Sequence, residues 1–565
     1  MPVVRGARRR GAGRRSAAAL GSALALLAAL SHPADAAAHD TLTIGITQFP
    51  ATLNPDIDAM AAKSYVLGMA ARPFTVYDAG WRLDCLLCTR LPTIANGLAM
   101  PIALKDGKKG IDLTYTIRPD AKWGDGVPVT TDDVVFTYRV GRNPQSAVTA
   151  ADLYRHITKI DVKDKHTFTL HLDKLTFDYA AIDDFVLLPA HLERAAFADP
   201  AQYRIRSRYN TDPTNPGLYD GPYRISQVAT GSYIVLTRNP YWAGPPPHFR
   251  RITVRAIENT AALEANLLSS TIDMVAGELG PPLDEALAFE RQHGSQFDMI
   301  YKPGLIFEHV DVNLARPALA DRRVREALLL GIDRAAISQS LFAGRQPVAD
   351  SFMSPLDSGY TNDIPHYRYD PAKAKALLEA AGWHAAGGGI RRNAAGQPLS
   401  FVLKTTAGDH TRELVEQVLQ SEWRQIGVDI RIKNEPARVL FGDSLPHRDF
   451  DMAMYAWISA PDSVPRSIFD STEIPDAANG YSGQNDTGFK NPEMDRLIEA
   501  TETELDPAKR KALWAAMQRL YAIQLPSLPL YFRSNVFILP KWLKGVAPTG
   551  NQYPTTLWIT DWQPQ

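Results

Sequence analysis

Residues 411–432 read TRELVEQVLQSEWRQIGVDIRI. The pattern predicts a helix to about residue 426, a glycine at 427 that ends it, and a strand behind the glycine. In that strand Val428, Ile430 and Ile432 alternate with Asp429 and Arg431. A helix that feeds directly into a strand is the step from which α/β layers are built. The same grammar surrounds this stretch. Asp370-Pro371 supplies an N-cap and a first-turn proline, Ala374, Leu377, Leu378 and Ala381 share one face, and Gly382 stops the turn. Asn491-Pro492 and Asp506-Pro507 open two more helices, carrying Met494, Leu497 and Ile498, then Leu513, Ala516, Met517, Leu520 and Tyr521. Val324, Leu328 and Ile332 line a fourth.

Outside about 310–525 the character changes. Before residue 260 strands dominate: Leu42–Ile46, then Leu113, Tyr115 and Ile117, then Phe168, Leu170 and Leu172, then Ile252 and Val254. The last 40 residues return to strand and loop. The expected class is an α+β region, an α/β region, and a return to the first. The 565 residues, 45% hydrophobic and 22% charged, have globular proportions. Two to four domains are expected at roughly 100–200 residues each.

The net charge of −1 is unevenly spread. Residues 5–15 hold six arginines and no acid, and the apolar run Ala17–Leu30 leads to Ala36-Ala37-Ala38. This is the pattern of a secretory signal peptide over 1–38, too short to span a bilayer, which needs ~20 residues. The alternative is an N-terminal membrane anchor. Arg14-Arg15 leaves open a twin-arginine route, and no cysteine near the cleavage site marks a lipoprotein. Removing six arginines and one aspartate leaves a mature chain at −6. A mildly acidic exported protein is a poor nucleic-acid binder, so no nucleic-acid partner is expected.

Cys85 and Cys88 are the only cysteines. A zinc site needs two further ligands, and no second pair exists. A redox C-x-x-C would open a helix, whereas this one runs into Leu91-Pro92. A short structural disulfide is the reading for an oxidising compartment. No G-x-S-x-G, H-E-x-x-H, P-loop or G-x-G-x-x-G occurs, and the histidines are dispersed. His166 and His171 lie at an odd offset and read as structural. No cofactor and no metal are expected. A hidden carboxylate pair keeps an exported hydrolase as the alternative of another class, and a chaperone-like holder of peptide segments as a third.

Six segments taken together resemble the family 5 extracytoplasmic solute-binding proteins of ABC importers. They are Leu42–Gly45 with Leu53-Asn54-Pro55; Tyr115–Trp123 continuing through Gly124-Asp125-Gly126 to Val134; Gly221-Pro222-Tyr223 with Arg238–Trp242; Asp321–Leu328 with Ile332-Asp333-Arg334; Tyr369-Asp370-Pro371 through Gly382-Trp383; and Asn491–Asp495. They span the mature chain in family order. Read residue by residue they are scaffold: a turn at 123–126 before a helix capped by Thr130 or Thr131, a turn at 221–223, and a solvated helix face at Arg322–Arg325.

The resemblance implies a two-lobed periplasmic binding-protein clamshell (class II-like) with an extra subdomain in the first lobe. The expected division is lobe I over 39–300 with the insertion at about 75–205, lobe II over 301–525, and a return to lobe I over 526–565. It implies a monomeric periplasmic receptor that captures di- or oligopeptides and delivers them to membrane permease subunits. Within the family a metal chelate, haem, an opine or a sugar is the alternative ligand. Asp462, after Tyr455 and Trp457, matches the acidic residue that pairs with a peptide's amino terminus in peptide-binding members. Tyr455 and Trp457 read as flat apolar walls or as core. Arg466 and Arg412 are candidates to meet a carboxylate, and Phe49 is a candidate contact from the first lobe.

Overall fold

The computed structural model describes residues 39–565, apart from 58–59, 106, 147, 150, 386, 388, 478–480 and 482. The leader expected over 1–38 lies outside the described residues. One ten-stranded mixed sheet runs through the molecule in the order Asp429–Ile432, Ser400–Lys404, Met452–Ile458, Phe297–Val312, Ser527–Pro540, Met274–Val275, Thr41–Ile46, Arg251–Ala256, Tyr233–Arg238, Tyr223–Ala229. The helix His410–Gln425 and the strand Asp429–Ile432 form as their spacing predicts. Asp409 caps the helix by accepting from the Arg412 N–H at 3.1 Å. Gly427, at φ +87°, turns the chain back.

Two apolar cores lie at opposite ends of this sheet. The first gathers Leu42, Ile44, Ile252 and Val254 with the helix Ala61–Ala70. The second gathers Val310, Val312, Leu403, Leu419 and Trp423. Each fully buried large apolar side chain stabilises its core by roughly 1.5–3 kcal/mol. A third core, with Tyr115, Phe168 and Trp123, underlies a separate four-stranded sheet of Ala99–Ala103, Lys109–Thr116, Thr167–Leu172 and Ile157–Val162. Among the described residues no helix is long and apolar enough to cross a membrane.

The chain passes between the two main cores inside two long antiparallel strands, Phe297–Val312 and Ser527–Pro540. Their ladder runs from Phe297↔Pro540 to Pro303↔Ser534, breaks, and resumes at Phe307↔Phe532. The break is a bulge of 304–306, where the Leu305 N–H turns away to the Gly550 carbonyl at 3.1 Å. A Cβ on Gly304 would sit 2.9 Å from that oxygen, so the close approach requires glycine. Bulges bend and twist a strand pair. This one divides the molecule into two lobes joined by a bent ribbon.

The family motifs are scaffold, with one correction. Thr130 caps the helix Thr131–Arg142 in a capping box closed by Asp133. Trp123, 1% exposed, donates its indole N–H to the same Asp133 at 3.3 Å. Gly221 admits no Cβ, which would meet the Ala70 carbonyl carbon at 2.6 Å. The helix Arg322–Leu330 does not present Arg325 to solvent. Arg325 is 4% exposed and donates to the carbonyls of Leu319, Ala320 and Gln524. Its charge is spent on the carbonyl ends of neighbouring segments, which periodicity alone cannot show. Cys85 and Cys88 are joined as a disulfide.

Candidate functional site

Two chambers open between the lobes, and a third adjoins them inside the second lobe. They radiate from Ile458–Val464 of the second lobe, where the strand Met452–Ile458 stops. Pro461 and Pro465 cannot donate to a ladder, so the chain leaves the sheet here. The largest chamber, of about 470 Å³, lies between Ile458, Ser459 and Ala460 and the first-lobe residues Lys63, Leu67, Asp183 and Tyr553. A second, of about 280 Å³, is lined by Tyr77, Asp178, Asp183 and Tyr553 across from Pro461, Ser463 and Val464. The third, of about 200 Å³, belongs to the second lobe and is mixed, with Leu305, Phe307, Phe352, Met353, Trp457 and Ile468 beside Asp357 and Gln484. Ile458 is 68% exposed, an unusual state for a strand isoleucine. It points at the space the lobes share.

The residues singled out from sequence separate on this geometry. Trp457 is half-buried and forms a wall of the third chamber, opposite Phe307 in the strand register. Asp462 lies between Pro461 and Ser463, which line the second chamber, but is not itself part of any chamber's lining; it is half-buried, with φ +57°, a left-handed conformation uncommon outside glycine. Its carboxylate accepts from the Ser358 hydroxyl at 2.5 Å, and its N–H donates to Asp357 Oδ2 at 3.0 Å. Tyr455 is fully buried behind Trp457, with ring centroids 5.4 Å apart, and its hydroxyl donates to Asp311 at 2.5 Å. It supports the wall and does not line the cavity.

Three other candidates lie away from the open space. Arg412 is 7% exposed and its fork is held by Glu308 at 2.7 Å and Thr406 at 2.8 Å. Arg466 grips Glu502 at 2.7 and 3.0 Å and Asp470 at 2.6 Å, so its donors are already engaged. Phe49 packs against the first-lobe core.

Several cavity residues had no sequence signal. Lys63 sits on the helix Ala61–Ala70 and donates to the carbonyls of Pro55 and Ile57 at 2.6 and 2.7 Å. Asp183 accepts from the Tyr553 hydroxyl at 2.5 Å. Burial, then the neighbouring Asp184, pushes the Asp183 carboxyl up to about 6. Asp357 is likewise pushed up to about 6, first by burial and then, against its backbone donors, by Asp462. The lobes also touch directly: the Phe177 N–H donates to the Glu502 carbonyl at 2.9 Å, and the Arg510 guanidinium lies 4.3 Å from the Phe177 ring centroid. Among the described residues no group of three or more His, Cys, Asp or Glu is arranged to hold a metal ion.

The profile of the bacterial extracellular solute-binding proteins, family 5, matches residues 103–516, which include much of both lobes. The chain belongs to this family. A curated family 5 relative, the oligopeptide-binding protein AppA of Bacillus subtilis, is 25% identical over 482 residues, covering 84% of this chain and 85% of that one. The nickel-binding periplasmic protein of Escherichia coli is 24% identical over 540 residues, covering 94% and 96%. Among solved family 5 structures, the oligopeptide-binding protein of Thermus thermophilus complexed with a pentapeptide superposes with a TM-score of 0.72 at 28% identity, over 93% of this chain and 97% of that one. The mixed α/β, two-lobed fold is thus that of family 5 receptors.

Proposed function

We propose that this chain is the receptor of an ABC importer, which captures di- or oligopeptides between its lobes and presents the closed form to the permease. The observation that carries this reading is the cavity itself, built from both lobes around Ile458–Val464 and overlooked by the bent ribbon. A ligand can favour closure only if it gains contacts with both walls on closing. Here Ile458, Ser459 and Ala460 face Lys63, Asp183 and Tyr553 across about 470 Å³. The last strand pair is Ile306↔Ile458, so the backbone of Ser459, just past it, is where an extended peptide would pair. We assign Asp462 to the peptide's amino terminus and Trp457 to an apolar side chain. Asp462's left-handed backbone is the kind of local strain that collects at binding sites.

On this reading residues 1–38 address the chain for export to the periplasm and are removed, and the mature receptor works as a monomer. Lobe I takes 39–300 with its insertion at about 75–205, lobe II takes 301–525, and 526–565 return. Isothermal titration with di- to pentapeptides is expected to give saturable one-to-one binding, with every peptide recovered intact. Recovery of cleaved peptide would make the cleft a hydrolase site. No saturable binding, combined with suppressed aggregation of unfolded clients, would make it a chaperone surface.

A further inference from the structure

We infer that the chamber between Tyr77, Asp178, Asp183 and Tyr553 takes a cationic side chain of the bound peptide. This deepens, and rests on, the peptide reading above.

Negative charge in this chamber exceeds positive charge. Three acidic residues, Asp178, Asp183 and Glu502, line this chamber with one lysine, Lys174. Glu502 is already matched by two cations: Lys174 at 3.3 Å and the Arg466 fork at 2.7 and 3.0 Å. The nearby Arg510 is turned onto the Phe177 ring. Asp183, by contrast, accepts from a neutral phenol, that of Tyr553. Across the cavity, Asp357 accepts backbone N–H groups of Gly359 and Asp462, and Asp462 accepts the Ser358 hydroxyl. The described partners of these three carboxylates are therefore neutral donors. Asp178 is exposed to the chamber.

Burial first, and then Asp462, Asp178, Asp183 and Asp357 in turn, raise the Tyr77 hydroxyl well above its ordinary value. Two of these acids come from each lobe, so closure concentrates negative charge where the lobes meet. A peptide's single amino terminus, held at Asp462, compensates only part of it. The surplus sits on Asp178 and Asp183, on the first-lobe wall. The walls beside them suit a lysine or arginine. The Tyr77 and Tyr553 rings stack with centroids 6.1 Å apart, offering aromatic surface to an alkyl stem or a guanidinium. The chamber under Trp457 carries a single acid, Asp357, among Leu305, Phe307, Phe352, Met353 and Ile468, and takes the neighbouring apolar side chain. The ligand class is then a peptide that combines a cationic and an apolar side chain.

The test is a tripeptide panel on an alanine background, with lysine, its uncharged analogue norleucine, or glutamate placed at each position in turn, and measured by isothermal titration. At one position lysine should bind about tenfold more tightly than norleucine, the worth of one charge-assisted hydrogen bond. Glutamate should be the weakest there. The lysine advantage should shrink as salt rises. It should vanish in the double variant Asp178→Asn, Asp183→Asn, with an unchanged circular dichroism spectrum as proof of an intact fold. Should that variant misfold, Asp178→Asn alone, at an exposed residue, should show a reduced advantage. Lysine and norleucine binding within twofold at every position, or an undiminished advantage in the variants, would overturn the inference and leave the peptide reading standing. Failure of every tripeptide to bind would overturn both.

Discussion

Replacing Glu308 by alanine should destabilise the protein by about 3–5 kcal/mol, the cost of leaving buried charge without its partner. Glu308 is 0% exposed and lies two residues past the bulge at 304–306 in the ribbon. It accepts from Arg412 at 2.7 Å, at the start of the helix His410–Gln425, and from Arg533 at 2.6 Å, on the facing strand. One carboxylate thus holds a helix and both crossing strands. Burial pushes its pKa up, but Arg533 and Arg412 together outweigh burial and hold it below the ordinary glutamate value. The sign follows: the folded pKa is depressed, so this contribution is present above the unfolded value of ~4.3 and is lost as pH falls below it. Chemical denaturation at neutral pH should show the full deficit for Glu308→Ala, and a deficit for Glu308→Gln that narrows on acidification. A loss below about 1 kcal/mol would place the triad among pairs that add little to stability.

The variant Asp462→Asn should weaken peptide binding by about 10- to 100-fold, in keeping with a charge-assisted bond worth roughly 1.5–3 kcal/mol. Its apo stability should change little. Asparagine tolerates the left-handed φ of +57° as aspartate does, and its side-chain oxygen can still accept from Ser358. What is lost is the charge. Loss of that charge also relieves Asp357, whose carboxyl Asp462 helps to push up. N-acetylated peptides should bind the unmodified protein about as weakly as free peptides bind the variant. Equal affinity for acetylated and free peptides would remove Asp462 from the amine site.

The elements that sequence reading recovered are those whose signals are local. The helix at 410–425, the strand behind Gly427 and the cap at Thr130 are set by neighbours within a few residues. The long strand Phe297–Val312 carries no such signal, because Pro303-Gly304 interrupts its alternation where the bulge forms. The site is harder still. Lys63, Asp183, Ile458 and Tyr553 come from four distant segments, and only topology brings them to one cavity. Charged residues misled for a related reason. Arg325, Arg412 and Arg466 look solvent-bound or ligand-bound in a linear chain, yet each is engaged by carbonyls or carboxylates remote in sequence. Trp457 lines the cavity where the strand ends before the prolines at 461 and 465, and Asp462 lies in the segment between those prolines.

The central claim is that the cleft holds a peptide. The most direct measurement is mass spectrometry of the small molecules released by denaturing protein isolated from its native host. Intact short peptides with free amino termini, in stoichiometric amount, are the predicted result. A metal chelate, haem, an opine or a sugar in that amount, with no peptide, would contradict the account.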